Sequence, residues 1–301
     1  MTVESGGGTR ERVATQAPAR SSGFDGIAPR YERDSLVQRD ASELLLDLLR
    51  IGPREDVLDL GCGTGHLAAR IAGLTRGRVV GIDPSAEMIA RATAGHAAEH
   101  LRFRVGTAET LDERVPFDVI FCNSAFQWFR EPRRTLESCR RALRPGGRMG
   151  VQAPGGARYC PNFLTALERV AADADAGPVF AGFRSPWRFL ESADEYAALF
   201  AAAGFAVELA RIDVTRSRRT ADEVMRVFES GAAAGYLDPG NYASPPPDGY
   251  PDLFRRLVGS ALAAQRDDDG LVDLVFHRIY LVATAPARPD GPGYRGPGAC
   301  P

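Results

Sequence analysis

Two features of this chain stand at spacings that can do chemistry. The first is a run of small residues, Gly61-Cys62-Gly63-Thr64-Gly65, placed directly between the apolar VLDL and the helix-forming HLAARIA. Glycine tolerates positive φ and lets the main chain come close to a bulky ligand. A turn of this kind at the carboxyl end of a buried strand is therefore a ligand cradle, with Asp59 just ahead of it. The second is Asp83, which ends the next apolar run in VVGIDPS, 22 residues after Gly61. A carboxylate there can accept both hydrogen bonds of a ribose 2′,3′-diol. Its competing role is to cap the helix after Pro84. Pro84 and Met88, next to it, join the candidate set, as do Thr107, Ala108 and Glu109 of VGTAETL, which would face an adenine edge. Dinucleotide-binding folds also use a glycine turn, but with the spacing GxGxxG, whereas this one reads GxGxG.

The elements that must hold these residues alternate along the chain. Apolar runs suited to buried parallel strands are VLDL (57–60), RVVGI (78–82), LRFRV (101–105), FDVIFC (117–122) and RMGVQA (148–153). Helical stretches at about 64–73, 85–93 and 132–144 separate them, which implies right-handed βαβ units and one parallel sheet. Pro132 suits a first helical turn and Gly146-Gly147 a stop. The arginines of that helix, Arg144 among them, read as a solvated face. Further on, the pattern predicts a helix at 192–203 ended by Gly204, a strand at 205–211 and a helical insertion at 220–235. A Pro-rich loop (238–251), a helix at 252–265 and a strand at 274–285 follow. The alternating apolar residues of that last strand suit an antiparallel partner at the sheet edge. The expected fold class is α/β: a Rossmann-like seven-stranded sheet, mostly parallel with an antiparallel last strand, and a helical cap insertion. One domain covers 23–285, with cap elements at about 154–190 and 213–268. Residues 1–22 and 286–301 read as disordered tails.

Composition excludes several classes. Net charge is −2, so no overall field draws the chain to nucleic acid or anionic lipid. All 37 basic residues are Arg, which rules out Schiff-base chemistry on a lysine. The five cysteines form no CxxC pair and no Cys/His cluster of zinc-site spacing, so no metal is expected and free thiols are. The first residues lack an apolar core and no apolar run could span a bilayer, so the expected location is cytoplasmic.

Taken in order, DLGCGTG, GIDPS, GTAE, FDVIFCNSAFQWF and LRPGGRMGVQAP resemble the motifs of class I S-adenosylmethionine (SAM)-dependent methyltransferases. The similarity covers residues 24–155 continuously. It implies SAM as cofactor, S-adenosylhomocysteine as product, and the glycine turn under the methionine part. It also implies Asp83 on the ribose and the 107–109 turn beside adenine. Asn123, Ser124, Gln127 and Trp128 would lie beside the methionyl part and the transferred methyl. FDGIAPRYERDSLVQRDASELL (24–45) is similar to the amino-terminal element of malonyl-carrier-protein O-methyltransferases, which would bring Tyr31 and Arg39 to the SAM carboxylate. FCNSAFQWFREP and QAPG also resemble trans-aconitate methyltransferases. The stretch 156–270 matches neither group closely. NSAF in place of a DPPY-type tetrapeptide argues against methylation of DNA bases.

Methyl transfer from a sulfonium is an in-line displacement, in which the protein aligns the nucleophile and excludes water. Such alignment is worth roughly 7–11 kcal/mol in model reactions. Phe126, Trp128 and Tyr31 could offer aromatic faces to the cation, against a core-packing role for Phe126. The acceptor would be a small molecule or carrier-bound group. A carboxylate acceptor is already ionised and needs a cation to orient it, for which Arg158, Arg184 and Arg188 of the cap are candidates, with Tyr159 and Trp187 framing the pocket. Surface solvation is the competing role for each arginine. A carbon or nitrogen acceptor would need a base, and of the four histidines His66 is nearest the cofactor; His66, Trp128 and Tyr159 are the catalytic candidates, none of them decisive. The basic turn TRSRRT (215–220) would suit an acidic carrier protein or, more simply, solvent. Two other classes stay open: an NAD(P)-dependent oxidoreductase and a non-catalytic SAM-binding module. Oligomeric state is not legible.

Overall fold

The structure, a computed structural model, describes residues 36–107, 111 and 115–286, with the backbone alone for 36–40. Both predicted tails, apart from Pro286, lie outside the described residues. Seven strands form one sheet: β1 (Val57–Leu60), β2 (Val79–Asp83), β3 (Leu101–Val105), β4 (Phe117–Asn123), β5 (Leu143–Pro154), β6 (Ala206–Arg219) and β7 (Val272–Thr284). Their order is β3-β2-β1-β4-β5-β7-β6. The first five are parallel, and β7 runs antiparallel to both β5 and β6. The strand order reverses between β1 and β4, which opens a crevice at the carboxyl edge.

Helices α1 (Leu36–Leu49) and α2 (His66–Ala72) cover one face. Their Leu45, Leu49, Ala68 and Ile71 pack on Val57, Val119, Phe121 and Val282. On the other face α4 (Pro132–Ala142) and α7 (Ala193–Ala202) bury Leu136, Cys139, Tyr196 and Phe200 against Leu58, Ile120, Met149 and Ile279. α3 (Ala86–Gly95) joins β2 to β3, capped by the Ser85 hydroxyl accepting from the Met88 amide. The cap proper contains α5 (Pro161–Ala171), α6 (Ala176–Phe180), α8 (Ala221–Glu229), α9 (Ala232–Tyr236) and α10 (Tyr250–Ala263). Its core is aromatic: Phe163 meets Phe228 and Phe276 edge-on, with ring centroids 5.1 and 5.6 Å away.

Several boundaries differ from the sequence expectation. β6 continues through TRSRR to Arg219 and pairs with β7 as far as Val272, well past Pro154, where β5 ends. This polar stretch is no loop, because Arg216 and Arg218 are held by Asp273, Asp267 and Asp269. The outermost strand is β6, so β7 is an interior strand. α4 stops at Ala142, ahead of Gly146-Gly147, and the predicted 220–235 helix divides into α8 and α9 at Ser230-Gly231. α8 begins with a reciprocal capping box between Thr220 and Glu223. Arg144 is only part-exposed and paired: it bridges Asp56 and Asp118 at the amino-terminal edge of the sheet. Beside it Arg148 holds Glu55 through two hydrogen bonds.

Candidate functional site

The glycine turn lies at the carboxyl ends of β1 and β2, and its backbone is what only glycine readily adopts. Gly61, Gly63 and Gly65 have φ of 80°, 54° and 84°. A Cβ on Gly61 would also collide with the Ala125 side chain, so the turn has room for main chain alone. The Gly61 and Cys62 amides donate to Ile82 O, tying the turn to β2.

Asp83 braces the same turn. Its Oδ2 accepts from Gly63 N at 3.0 Å and its Oδ1 from Ser85 N at 2.9 Å. The two backbone donors fix the direction of the carboxylate. The cap of α3 is Ser85, not Asp83. Pro84 is exposed and Met88 buried. Thr107 follows β3 at the same sheet edge, whereas Ala108 and Glu109 lie outside the described residues, as does Tyr31. Arg39 lies on α1, its side chain also outside them.

A cleft opens beside the turn, lined by Asp59, Gly61, Cys62, Gly63, His66 and Asn123. Asp59 is 2% exposed, and among the described residues its Oδ2 has no hydrogen-bond partner. Burial, with a smaller push from Asp83, raises its carboxyl to about 8. A buried acid with an unmet oxygen in a glycine-walled cleft suits a cationic ligand, whose charge would favour ionisation. Burial also pushes the Cys62 thiol up, so it remains a neutral wall of the cleft. Thr64 is buried, its hydroxyl likewise without a partner among the described residues. These features fit a ligand with a cationic centre and a sugar diol.

Beyond Asn123 the chain turns sharply. Ser124 takes φ 55°, a left-handed conformation that is strained for serine. Its amide donates to Gln152 O at 2.7 Å, and its carbonyl accepts from Gln127 Nε2 at 2.9 Å. Phe126 is packed into the core against Phe200, stacked with centroids 5.8 Å apart, so core packing rather than a sulfonium face is its role. Trp128 is half-buried and meets Trp187 edge-on at 5.5 Å. The segment carrying Trp187 reaches this loop through the Arg188 amide, which donates to Gln127 O.

The predicted acceptor arginines are not brought to the cleft as buried cations. Arg158, Arg184 and Arg188 are all exposed. Tyr159 is 5% exposed and stacked on Phe189, and burial holds its phenol well above the usual range, so it is no base near neutral pH. His66 begins α2 and lines the cleft.

Sequence reading missed the buried arginine, Arg278. The residues of β7 that share its face are Val272, Leu274, Phe276, Tyr280 and Val282, and Arg278 is the one charge among them. It is 4% exposed, its guanidinium 4.5 Å from the Phe276 ring centre. Period-2 inspection of LVFHRIYLVATA could have found it. Gln152, fully buried, links it to the cleft. With its carboxamide turned to suit its neighbours, its nitrogen donates to Asn123 Oδ1 at 2.8 Å and its oxygen accepts from Arg278 Nη1 at 3.2 Å. Asp59, Asn123, Gln152 and Arg278 thus form a polar row on one face, across β1, β4, β5 and β7.

With this geometry established, the family model described as a methyltransferase domain matches residues 57–147. The domain is methyltransferase-like. The malonyl-[acyl-carrier protein] O-methyltransferase of Hahella chejuensis is 33% identical over 141 residues, 46% of this chain and 50% of that protein. A trans-aconitate 2-methyltransferase of Methylobacterium nodulans is 27% identical over 246 residues, 81% of this chain and 92% of that protein. The chain matches about half the length of three of the malonyl relatives. Among solved structures, the YcgJ protein of Bacillus subtilis superposes with a TM-score of 0.57 at 18% identity, covering 83% of this chain and all of that one. This methyltransferase-like fold is the Rossmann-like architecture expected from the motifs. Among the described residues no helix is long and apolar enough to cross a membrane.

Proposed function

We propose that this protein is an enzyme that transfers the methyl group of SAM to a carboxylate oxygen of a small or carrier-bound acid. The observation carrying this reading is the joint placement of the Gly61–Gly65 turn, Asp59 and an Asp83 aimed by the Gly63 amide. When bound, SAM supplies a methyl on a sulfonium, an electrophile that needs no activation. The chain would cradle its methionine part on the turn, accept its ribose hydroxyls at Asp83 and answer its positive charge with Asp59. Asn123 would stand beside the reacting centre, and the cap would exclude water. The two relatives described above are named for acidic acceptors, malonyl and trans-aconitate, which supports a carboxylate acceptor. Such an acceptor is ionised at neutral pH. It therefore suits a site whose buried Tyr159 cannot serve as a base.

The test has two stages. Calorimetry with SAM, S-adenosylhomocysteine and NADH should show binding of the first two and none of the third. Labelled SAM should then methylate trans-aconitate or a malonyl thioester, giving a base-labile ester. Binding of NADH alone would overturn the reading. A base-stable methylated product would move the acceptor to nitrogen or carbon.

A further inference from the structure

We propose that Arg278 is the anion anchor of the methyl acceptor, holding one oxygen of its carboxylate while the other faces the transferred methyl. The proposal rests on the methyl-transfer reading and adds to it the residue that selects the acceptor's charge. Three observations carry it. First, Arg278 is a buried cation on a strand face that is otherwise apolar or aromatic from Val272 to Val282. Replacing a buried charged group by an apolar residue of similar size is often neutral or stabilising, so packing alone does not call for an arginine at this position. Second, its place is at the carboxyl edge of the parallel strands, where β7 pairs with Pro154 at the end of β5. Ligands of such sheets bind at that edge. Third, the guanidinium is oriented, with Phe276 under its plane and Gln152 on Nη1. Gln152 in turn holds Asn123, which lines the cofactor cleft. A planar fork of fixed direction is suited to a carboxylate rather than to a diffuse negative charge.

The wall around it is apolar. Tyr159 and Phe163 belong to the same aromatic core as Phe276. An acid entering from the cap would lose its water and keep one cationic partner, which favours carboxylates over neutral esters. In the transfer, the free carboxylate oxygen forms the O–CH3 bond as the S–CH3 bond breaks. The bonding pair returns to sulfur, and no proton moves. The methylated carboxyl group is neutral and no longer offers the charge that Arg278 binds.

Protein saturated with S-adenosylhomocysteine is titrated with trans-aconitate and malonyl-N-acetylcysteamine, and with the trimethyl ester of the first and the methyl ester of the second. Arg278→Met should weaken binding of the acids at least tenfold, and Arg278→Lys should recover part of that loss. The esters should bind at least tenfold more weakly than the acids to the unmodified protein. Affinity for S-adenosylhomocysteine should stay within twofold in every variant. Equal binding of the acids by Arg278→Met, equal binding of acids and esters by the unmodified protein, or failure of both acids to bind it would each overturn the proposal. If Arg278→Met does not fold, Arg278→Lys and the acid–ester comparison decide in the same way. Failure of S-adenosylhomocysteine itself to bind would instead refute the methyl-transfer reading.

Discussion

Asp59 is the residue whose behaviour most directly reports the site. Its carboxyl is raised to about 8, chiefly by burial. A carboxyl raised in the folded state binds a proton that the unfolded chain has already released, so stability falls as pH climbs from about 4 towards 8. The ligand-free protein should therefore melt at a lower temperature at pH 8.5 than at pH 6, and Asp59→Asn should flatten that part of the profile in thermal unfolding scans. SAM binding should favour the ionised form and release a proton at pH 7. Calorimetry in buffers of different ionisation enthalpy would detect that release, and Asp59→Asn should abolish it. Asp83→Ala should weaken SAM by about 1.5–3 kcal/mol, the value of a hydrogen bond to a charged group; unchanged affinity would remove Asp83 from the ribose. Gly61→Ala combines a left-handed φ costing about 1–2 kcal/mol with a collision at Ala125, and should lower both the melting temperature and SAM affinity. Glycine turn and ribose carboxylate were legible because a turn's demands are written in adjacent residues. Arg278 was legible only as one charge on the apolar face of LVFHRIYLVATA, because its burial depends on the elements that pack on β7.

At the scale of elements, the two edges of the sheet divide the work. The carboxyl edge carries unmet polar atoms, and the amino edge is closed by paired ones. Glu55 is held below the ordinary carboxyl range mainly by its hydrogen bond to Arg148. Its stabilising contribution is complete above pH about 4.5 and is lost as pH falls through its lowered folded value. Arg148→Ala should therefore lower the melting temperature at pH 7 and do so much less at pH 3, as calorimetric scans would show, with SAM affinity unchanged. Strands β1, β2, β4 and β5 were readable as apolar runs, because buried parallel strands have few polar positions, whereas β3 at the sheet edge carries Arg102 and Arg104. The far half of β6 was not readable. Its arginines look like a solvated turn until Asp267, Asp269 and Asp273 are brought opposite them.

Over the whole molecule, the sheet with its flanking helices and the aromatic cap are separate hydrophobic units joined through β7. S-adenosylhomocysteine at a hundred times its dissociation constant should stabilise the fold by about 2.7 kcal/mol, a shift readable by scanning fluorimetry. Which acid enters was not legible from 156–270, because cap packing is set by contacts between distant aromatic rings such as Phe163, Phe228 and Phe276. The polar row crossing four strands has a last consequence. It is a built-in dipole, acidic at Asp59 and basic at Arg278. On the proposed reaction it holds a cation and an anion that cancel each other as the methyl moves. Turnover would thus discharge both ends together, so rising ionic strength should weaken capture of the reactants far more than it hastens departure of the ester.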